Sequence, residues 1–285
     1  SRNLNCKIVL GGNGITDGSK NYADDLYQNG LIDKYILGDG EGQILELFNK
    51  PNTFRFEQSI VPDWSDYNLQ EYALQKNKES KEWTGFGNYL YTDAHEILTL
   101  PVTGSRGCVR RCSFCDIPSL WPQFRFRTAN SILTEIIQNY KKYNVTRFHF
   151  TDSLINGNVK VFRELCNLLS SERKANNYTF TFTGQYICRN AARETDEQYK
   201  IMAAAGIKVL EVGIESGSEA VRYHMGKKFS NNDIRILVER CSKNNIKIVL
   251  LLIVGYPTET EENFQETLDL LTELQPYIGN TIIEA

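Results

Sequence analysis

A chain of 285 residues, 41% of them hydrophobic, is long enough to bury a sizeable core as one large domain or one domain with an appendage. Its formal net charge of −3 excludes a general electrostatic affinity for nucleic acid or an anionic membrane. No apolar run approaches the roughly eighteen residues of a membrane helix, and the opening "SRNLNCKIVLGG" has neither the basic nor the apolar region of a secretory leader, so a cytoplasmic protein is expected.

Apolar period and breakers divide the chain into three parts. From Ser1 to Lys50, strand-like "CKIVL" ends in Gly11-Gly12, "YADDLYQNG" is helical, strand-like "DKYIL" ends in "GDGEG", and "QILELFN" begins another helix. Such alternation indicates a parallel sheet. Residues 51–95 are polar, sprinkled with aromatics and weakly periodic, and are expected to form a linker that packs on its neighbours. From Glu96 the alternation resumes. Strands are expected at "ILTLPVT", "VTRFHFT", "YTFTFTG", "IKVLEVGI", "IKIVLLLIVG" and "NTIIEA". Helices fall between them at "ANSILTEIIQNYKKY", "VKVFRELCNLLSSERK", "DEQYKIMAAAG", "NNDIRILVERCSKNN" and "TEENFQETLDLLTEL". Six strands with five helices between them describe a partial (β/α)6 TIM-like barrel, with a doubly wound open sheet as the competing layout. In either, the loops after the strands' carboxyl ends carry the chemistry. The start at Ser1, almost directly before a strand, and the stop at "NTIIEA" suggest a fragment of a longer protein.

Three of the seven cysteines, Cys108, Cys112 and Cys115, lie within eight residues in the loop after the first strand of the third part. Cys6, Cys166, Cys188 and Cys241 lie in apolar-periodic segments, where a thiol acts as a small hydrophobe, and no disulfide framework is expected. Soft thiolates select zinc, copper(I) or iron–sulfur clusters. Structural zinc takes four closed ligands, and His95, His149 and His224 are distant in sequence from the loop. Three thiolates on a four-iron cluster leave one iron open to a substrate or cofactor.

The C-x3-C-x2-C spacing, with aromatic Phe114 before the last cysteine, resembles the cluster loop of the radical S-adenosylmethionine (SAM) enzymes, and the resemblance runs from about Ile97 onward. It implies that Cys108, Cys112 and Cys115 hold a [4Fe–4S] cluster whose open iron is chelated by SAM. It further implies reductive cleavage of SAM to methionine and a 5′-deoxyadenosyl radical, with the electron supplied by an external donor of the flavodoxin or ferredoxin type. "VGIESGS" resembles the segment that places polar groups near the SAM ribose, which makes Glu215 and Ser216 candidates; a strand-end cap is their alternative. "LIVGYPTET" resembles the segment beside the adenine, where Gly255 lets backbone approach; a plain turn is the alternative. In "FTDS" only Asp152 carries over from a Gly-Gly-Glu segment near the SAM amino group. Arg189 is a candidate partner for a carboxylate, and "RFRT", Arg125 to Thr128, is expected to be a solvated turn.

"IVLGGNG" followed by "DKYILGDGEG" resembles the second half of the Rossmann-like cobalamin-binding domain that precedes the radical domain in one branch of the family. Gly11, Gly12, Gly38, Gly40 and Glu41 match, with Asp39 at the usual Glu position. About two strands of a sheet that needs roughly five would hold cobalamin weakly or not at all, though a longer parent protein should bind it. The resemblance thus implies a cobalamin-dependent methyl transfer or rearrangement. A methylthiotransferase is the alternative, suggested by "CSFCDIP", and a non-enzymatic metal-binding barrel is a further one.

Overall fold

The computed structural model describes residues 6–12, 14–15, 17–58, 61–69, 71, 98–278 and 283–284. In the amino-terminal part β1 (Val9–Leu10) pairs in parallel with β2 (Lys34–Tyr35), bridged by α1 (Lys20–Gln28) and followed by α2 (Gly40–Leu47). The strands are shorter than "CKIVL" and "DKYIL" suggest, because each has one partner at most among the described residues and only a few side chains around them, Ile15, Ala23, Ile32 and Ile36, are buried.

The remainder is built on a six-stranded parallel sheet. Its strands are β3 (Thr99–Val102), β6 (Arg147–Phe150), β7 (Thr181–Gln185), β8 (Ile207–Glu215), β9 (Lys247–Leu252) and β10 (Ile283–Glu284). They lie side by side in chain order. A doubly wound sheet needs a point where strand order reverses, and there is none here. Right-handed crossovers that always step the same way put the helices on one face. The helices are α4 (Ala129–Tyr143), α5 (Val159–Asn176), α6 (Asp196–Ala205), α8 (Asn231–Lys243) and α9 (Glu261–Ile278). Among the described residues the sheet remains an open arc, with β3 and β10 at its edges.

The helix boundaries follow their caps. Thr128 Oγ1 accepts from the Ser131 N–H, Asn158 Oδ1 from the Val161 N–H, and Ser230 forms a capping box with Asp233. One row of aromatic rings dominates the buried face: Phe182 stacks on Phe148 with centroids 5.7 Å apart and meets Phe180 edge-on at 5.4 Å. All three are fully buried. Leu210, Val212, Ile214, Ile248 and Leu250 continue that face along β8 and β9. No helix among the described residues is long and apolar enough to cross a membrane.

Sequence periodicity misses short elements. Strand β4 (Ser105–Arg106) pairs antiparallel with β5 (Arg125–Phe126), and α3 (Ile117–Leu120) lies between them, while α7 (Glu219–His224) follows β8. "RFRT" is therefore not a solvated turn. Arg127 is 2% exposed, ion-paired with the equally buried Glu135 on α4, and donates to the Thr103 carbonyl. Of the expected linker, Phe56 is buried and Trp64 packs on the sheet region, where its main-chain N–H donates to Tyr143 Oη. Residues 72–95, with His95, lie outside the described residues, as does Ile97 of the expected first strand.

Candidate functional site

Cys108, Cys112 and Cys115 lie in the loop between β4 and β5, beyond the carboxyl end of β3. Gly107 starts the loop at φ +81°, and a Cβ there would sit 2.8 Å from the Gln123 carbonyl, so only glycine makes this turn. The loop is held from several sides. Cys108 Sγ accepts from the Arg110 N–H, the Cys115 N–H donates to the Cys112 carbonyl at 3.1 Å, and the Ser113 N–H donates to the Met225 carbonyl at 3.1 Å. Ser113 Oγ lies 2.8 Å from Tyr256 Oη, which is 3.0 Å from His224 Nδ1.

All three thiols are partly exposed, unlike Cys166, Cys188 and Cys241. Burial pushes the thiols of Cys108 and Cys112 up, and repulsion from neighbouring loop thiols adds to it, while Lys227 pulls the other way. Among the described residues no three His, Cys, Asp or Glu side chains converge on one metal ion. Three thiols spread along a loop suit a cluster, in which each iron takes one thiolate, better than a single zinc.

Across from the loop stands Glu215. The register between β8 and β9 shifts between Gly213 and Glu215, and Glu215 adopts a left-handed φ of +63°. Such a bulge re-aims a side chain at a strand end. Here it directs the 9%-exposed carboxylate to Lys227 Nζ at 2.7 Å. A Cβ on Gly213 would lie 2.3 Å from Glu215 Oε1 and 3.0 Å from Lys227 Nζ, so the glycine makes room for the pair. Lys227 also donates to the Gly213 carbonyl at 2.8 Å and lies 5.8 Å from the centre of the Phe114 ring, itself 42% exposed. Thiols, aromatic ring, ammonium and carboxylate thus share one face.

The other candidates separate from this face. Ser216 is fully buried, its Oγ accepting from the Ser218 N–H and 3.2 Å from Thr267 Oγ1 on α9. Asp152 is 4% exposed and accepts from the Gly104 N–H at 2.8 Å and from Ser105 Oγ, bracing the neck of the cysteine loop. Gly255 has φ +78°, but nothing lies within 4 Å of where its Cβ would be, so backbone conformation and not close approach calls for glycine. Its N–H donates to Glu259 Oε2 at 2.7 Å. Arg189 donates to two main-chain carbonyls, Asn156 and Gly157, rather than to a carboxylate.

The amino-terminal candidates gather elsewhere. Gly11, Gly12, Gly38, Gly40 and Glu41 all line a cavity of about 1190 Å³, whose far wall is Arg106, Leu120, Trp121 and Pro122 from either side of the cysteine loop. Val9, Ile36, Ile44 and Phe48 make its lining largely apolar. Gly12 and Gly38 have φ of +89° and +71°. Sequence reasoning missed Lys227, Tyr256 and Arg106. Lys227 lies outside the recognisable motifs, Tyr256 sits unremarked inside "LIVGYPTET" and Arg106 just before the first loop cysteine, and their charge or hydroxyl becomes part of a site only where distant segments meet.

The sequence pattern of the radical SAM superfamily matches residues 102–271. A tRNA-2-methylthio-N(6)-dimethylallyladenosine synthase of Clostridium novyi is 27% identical over 76% of this chain and 50% of its own length. An anaerobic magnesium-protoporphyrin IX monomethyl ester cyclase of Synechocystis is 22% identical over 90% of the chain and 52% of its own. The chain thus spans about half the length of these curated relatives. Among solved structures, the radical SAM methyltransferase TsrM of Kitasatospora setae superposes with a TM-score of 0.69 at 18% identity, over 94% of this chain and 54% of that one. The cobalamin-dependent radical enzyme OxsB, with aqua-cobalamin and SAM bound, gives 0.62 at 17%, over 93% of this chain and 38% of that one.

Proposed function

The chain belongs to the radical SAM superfamily, and from that premise we propose that it is the catalytic part of a cobalamin-dependent radical SAM enzyme that abstracts a substrate hydrogen for methyl transfer or rearrangement. The observation that carries the cluster assignment is the single face on which Cys108, Cys112 and Cys115 meet Phe114, Lys227 and Glu215. The three thiolates would hold three irons of a [4Fe–4S] cluster and leave the fourth to the amino and carboxylate groups of SAM. When bound, that cluster supplies the electron that breaks a carbon–sulfur bond of SAM and releases a 5′-deoxyadenosyl radical.

The chain's own residues bind and orient. The Lys227 ammonium offsets the negative charge that three thiolates accumulate, and its pairing with Glu215 fixes both side chains. Glu215, held by the bulge, would accept from a ribose hydroxyl of SAM, and Phe114 would contribute an apolar face beside it. The sequential parallel strands form part of a (β/α)6 barrel wall, with residues 96–285 as the radical domain, 51–95 as the linker and 1–50 as part of the cobalamin-binding domain. An external electron donor of flavodoxin or ferredoxin type would supply the electron.

The large, apolar, glycine-edged cavity supports cobalamin. Glycines at turns let a bulky ring approach backbone, and the volume exceeds that of typical small-ligand pockets, roughly 300–1,000 Å³. The family's cobalamin reading draws further support from TsrM and OxsB, which share the fold. A second reading, methylthiotransfer, is favoured by the Clostridium relative's higher sequence identity.

The deciding measurement is metal and sulfide analysis of anaerobically reconstituted protein, followed by a hydroxocobalamin titration. Iron and sulfide near four each, with an electron paramagnetic resonance (EPR) signal that changes when SAM is added, is the expected result. Zinc near one per chain would overturn it. Because two strands hold a corrinoid weakly at best, it is retention of hydroxocobalamin by the longer parent protein that separates the cobalamin reading from methylthiotransfer.

A further inference from the structure

The neck of the cysteine loop is a two-stranded ribbon of two residues a side, Ser105 opposite Phe126 and Arg106 opposite Arg125. A ribbon this short is not stable by itself, and two guanidinium groups at directly opposed positions repel each other. Something outside the ribbon must therefore hold it closed. On the sheet side Asp152 binds the Gly104 N–H and Ser105 Oγ. On the other side the support comes from the amino-terminal part. Arg106 donates to Asp39 Oδ1 at 2.7 Å and forks across both oxygens of Glu41, while Arg125 pairs with the second oxygen of Asp39. The two guanidinium groups also share the buried Phe56 ring, 4.7 and 5.4 Å from its centre, and Arg106 lies 5.3 Å from Trp121.

Two arginines meet two carboxylates here, so the repulsion inside the ribbon becomes a reason for it to close only against residues 39–41. Although burial opposes its ionisation, the bonds to Arg106 hold the Glu41 carboxyl below the usual range. Forked, multiply anchored arginines of this kind are worth more than ordinary surface pairs. The same turn, through Gly38, Gly40 and Glu41, is a wall of the large cavity, to which Arg106 and Trp121 also contribute. Nothing in the three-cysteine motif requires this arrangement.

We propose that Arg106 and Arg125, clasped by Asp39 and Glu41, are positioning residues that couple the three-cysteine loop to the amino-terminal cavity, so that a ligand filling the cavity stabilises the cluster and the reverse. This rests on the reading that the loop holds a [4Fe–4S] cluster and the cavity takes a corrinoid. Reciprocity is obligatory, because both ligands bias one shared turn.

The test is the rate of iron loss from the reconstituted full chain to a ferrous chelator, with and without excess hydroxocobalamin, in the wild type, Arg106→Gln, Glu41→Gln and the double variant. Circular dichroism verifies folding, and absorbance after desalting measures corrinoid retention separately. Each single variant should lose iron about fivefold faster or more, and the double variant no faster than the worse single. Hydroxocobalamin should slow iron loss in the wild type and have no such effect in Arg106→Gln. Asp39→Asn serves as a second variant should Arg106→Gln misfold, with the same expectation. Wild-type rates in folded single variants, or rates that multiply in the double, overturn the clasp. An equal effect of hydroxocobalamin on wild type and Arg106→Gln, or none on the wild type, overturns the coupling. A wild type that takes up no iron fails the cluster reading itself and carries the proposal down with it, an outcome distinguishable from a cluster that forms and ignores Arg106.

Discussion

Residues 6–58 and residues 98–278 spend their apolar side chains differently. In the sheet region Phe148, Phe180 and Phe182 are fully buried against one another. In the amino-terminal part Val9, Ile44 and Phe48 remain exposed, Phe48 at 73%, and all three line the cavity. The cysteines divide the same way within the sheet region: Cys166, Cys188 and Cys241 are buried, whereas the loop thiols are reachable. Apolar or soft side chains left uncovered in a folded protein mark a place that something else covers, and core residues mark what holds it in place.

The largest expected effect lies on the thiols. Alanine at Cys108, Cys112 or Cys115 should each abolish stable uptake of four irons and with it SAM cleavage, whereas Cys166→Ala should leave iron content unchanged, as burial pushes the Cys166 thiol up to about 12 and keeps it protonated. Iron and sulfide analysis decides this; a full cluster in any one of the first three variants would break the distinction between the two sets.

Next in size is the contrast between core and cavity wall. Phe182→Ala removes a fully buried ring and should cost about 3–5 kcal/mol in urea unfolding. Phe48→Ala should stay within about 0.5 kcal/mol in the same measurement and instead weaken hydroxocobalamin binding. Equal costs at both positions would erase the comparison.

Asp152 sharpens it at the loop's neck. Burial raises its carboxyl to about 6. A folded-state value above the unfolded one means that the folded protein binds the extra proton, so stability is greatest below about pH 4 and falls as pH rises through about 6. The full span is on the order of 3 kcal/mol. Denaturant unfolding at pH 5 and 7 should show the wild type losing stability over that interval, and Asp152→Asn should flatten the dependence.

On the proposed role of its carboxylate as a charge-assisted acceptor rather than an iron ligand, Glu215→Ala should weaken SAM binding by about 1.5–3 kcal/mol while the cluster still assembles. Calorimetry of reconstituted protein checks it. Unchanged affinity would reduce Glu215 to a partner for Lys227.

Much of this was readable from the residues alone. Local signals carried it: the period of the helices, with α4 starting and ending where "ANSILTEIIQNYKKY" does, and a cysteine spacing that stays within one loop. Caps and turn glycines act over a few residues, so they survive in the sequence as written. What needed the tertiary structure involves long separations. Sequential strand order excluded the doubly wound layout, which alternating elements permit equally well. Arg127, just ahead of α4, became a buried ion pair because its side chain folds back onto Glu135 inside that helix, and, over a longer separation, Asp152 became a brace because β6 ends beside Gly104. Ser216 and Glu215 are adjacent in sequence, yet a bulge sends one to α9 and the other to Lys227. The link from Arg106 to Glu41 spans 65 residues and depends on charge, which carries no period or spacing for a sequence to show. Electrostatic and packing partners are chosen by proximity in space, and only the folded chain determines that proximity.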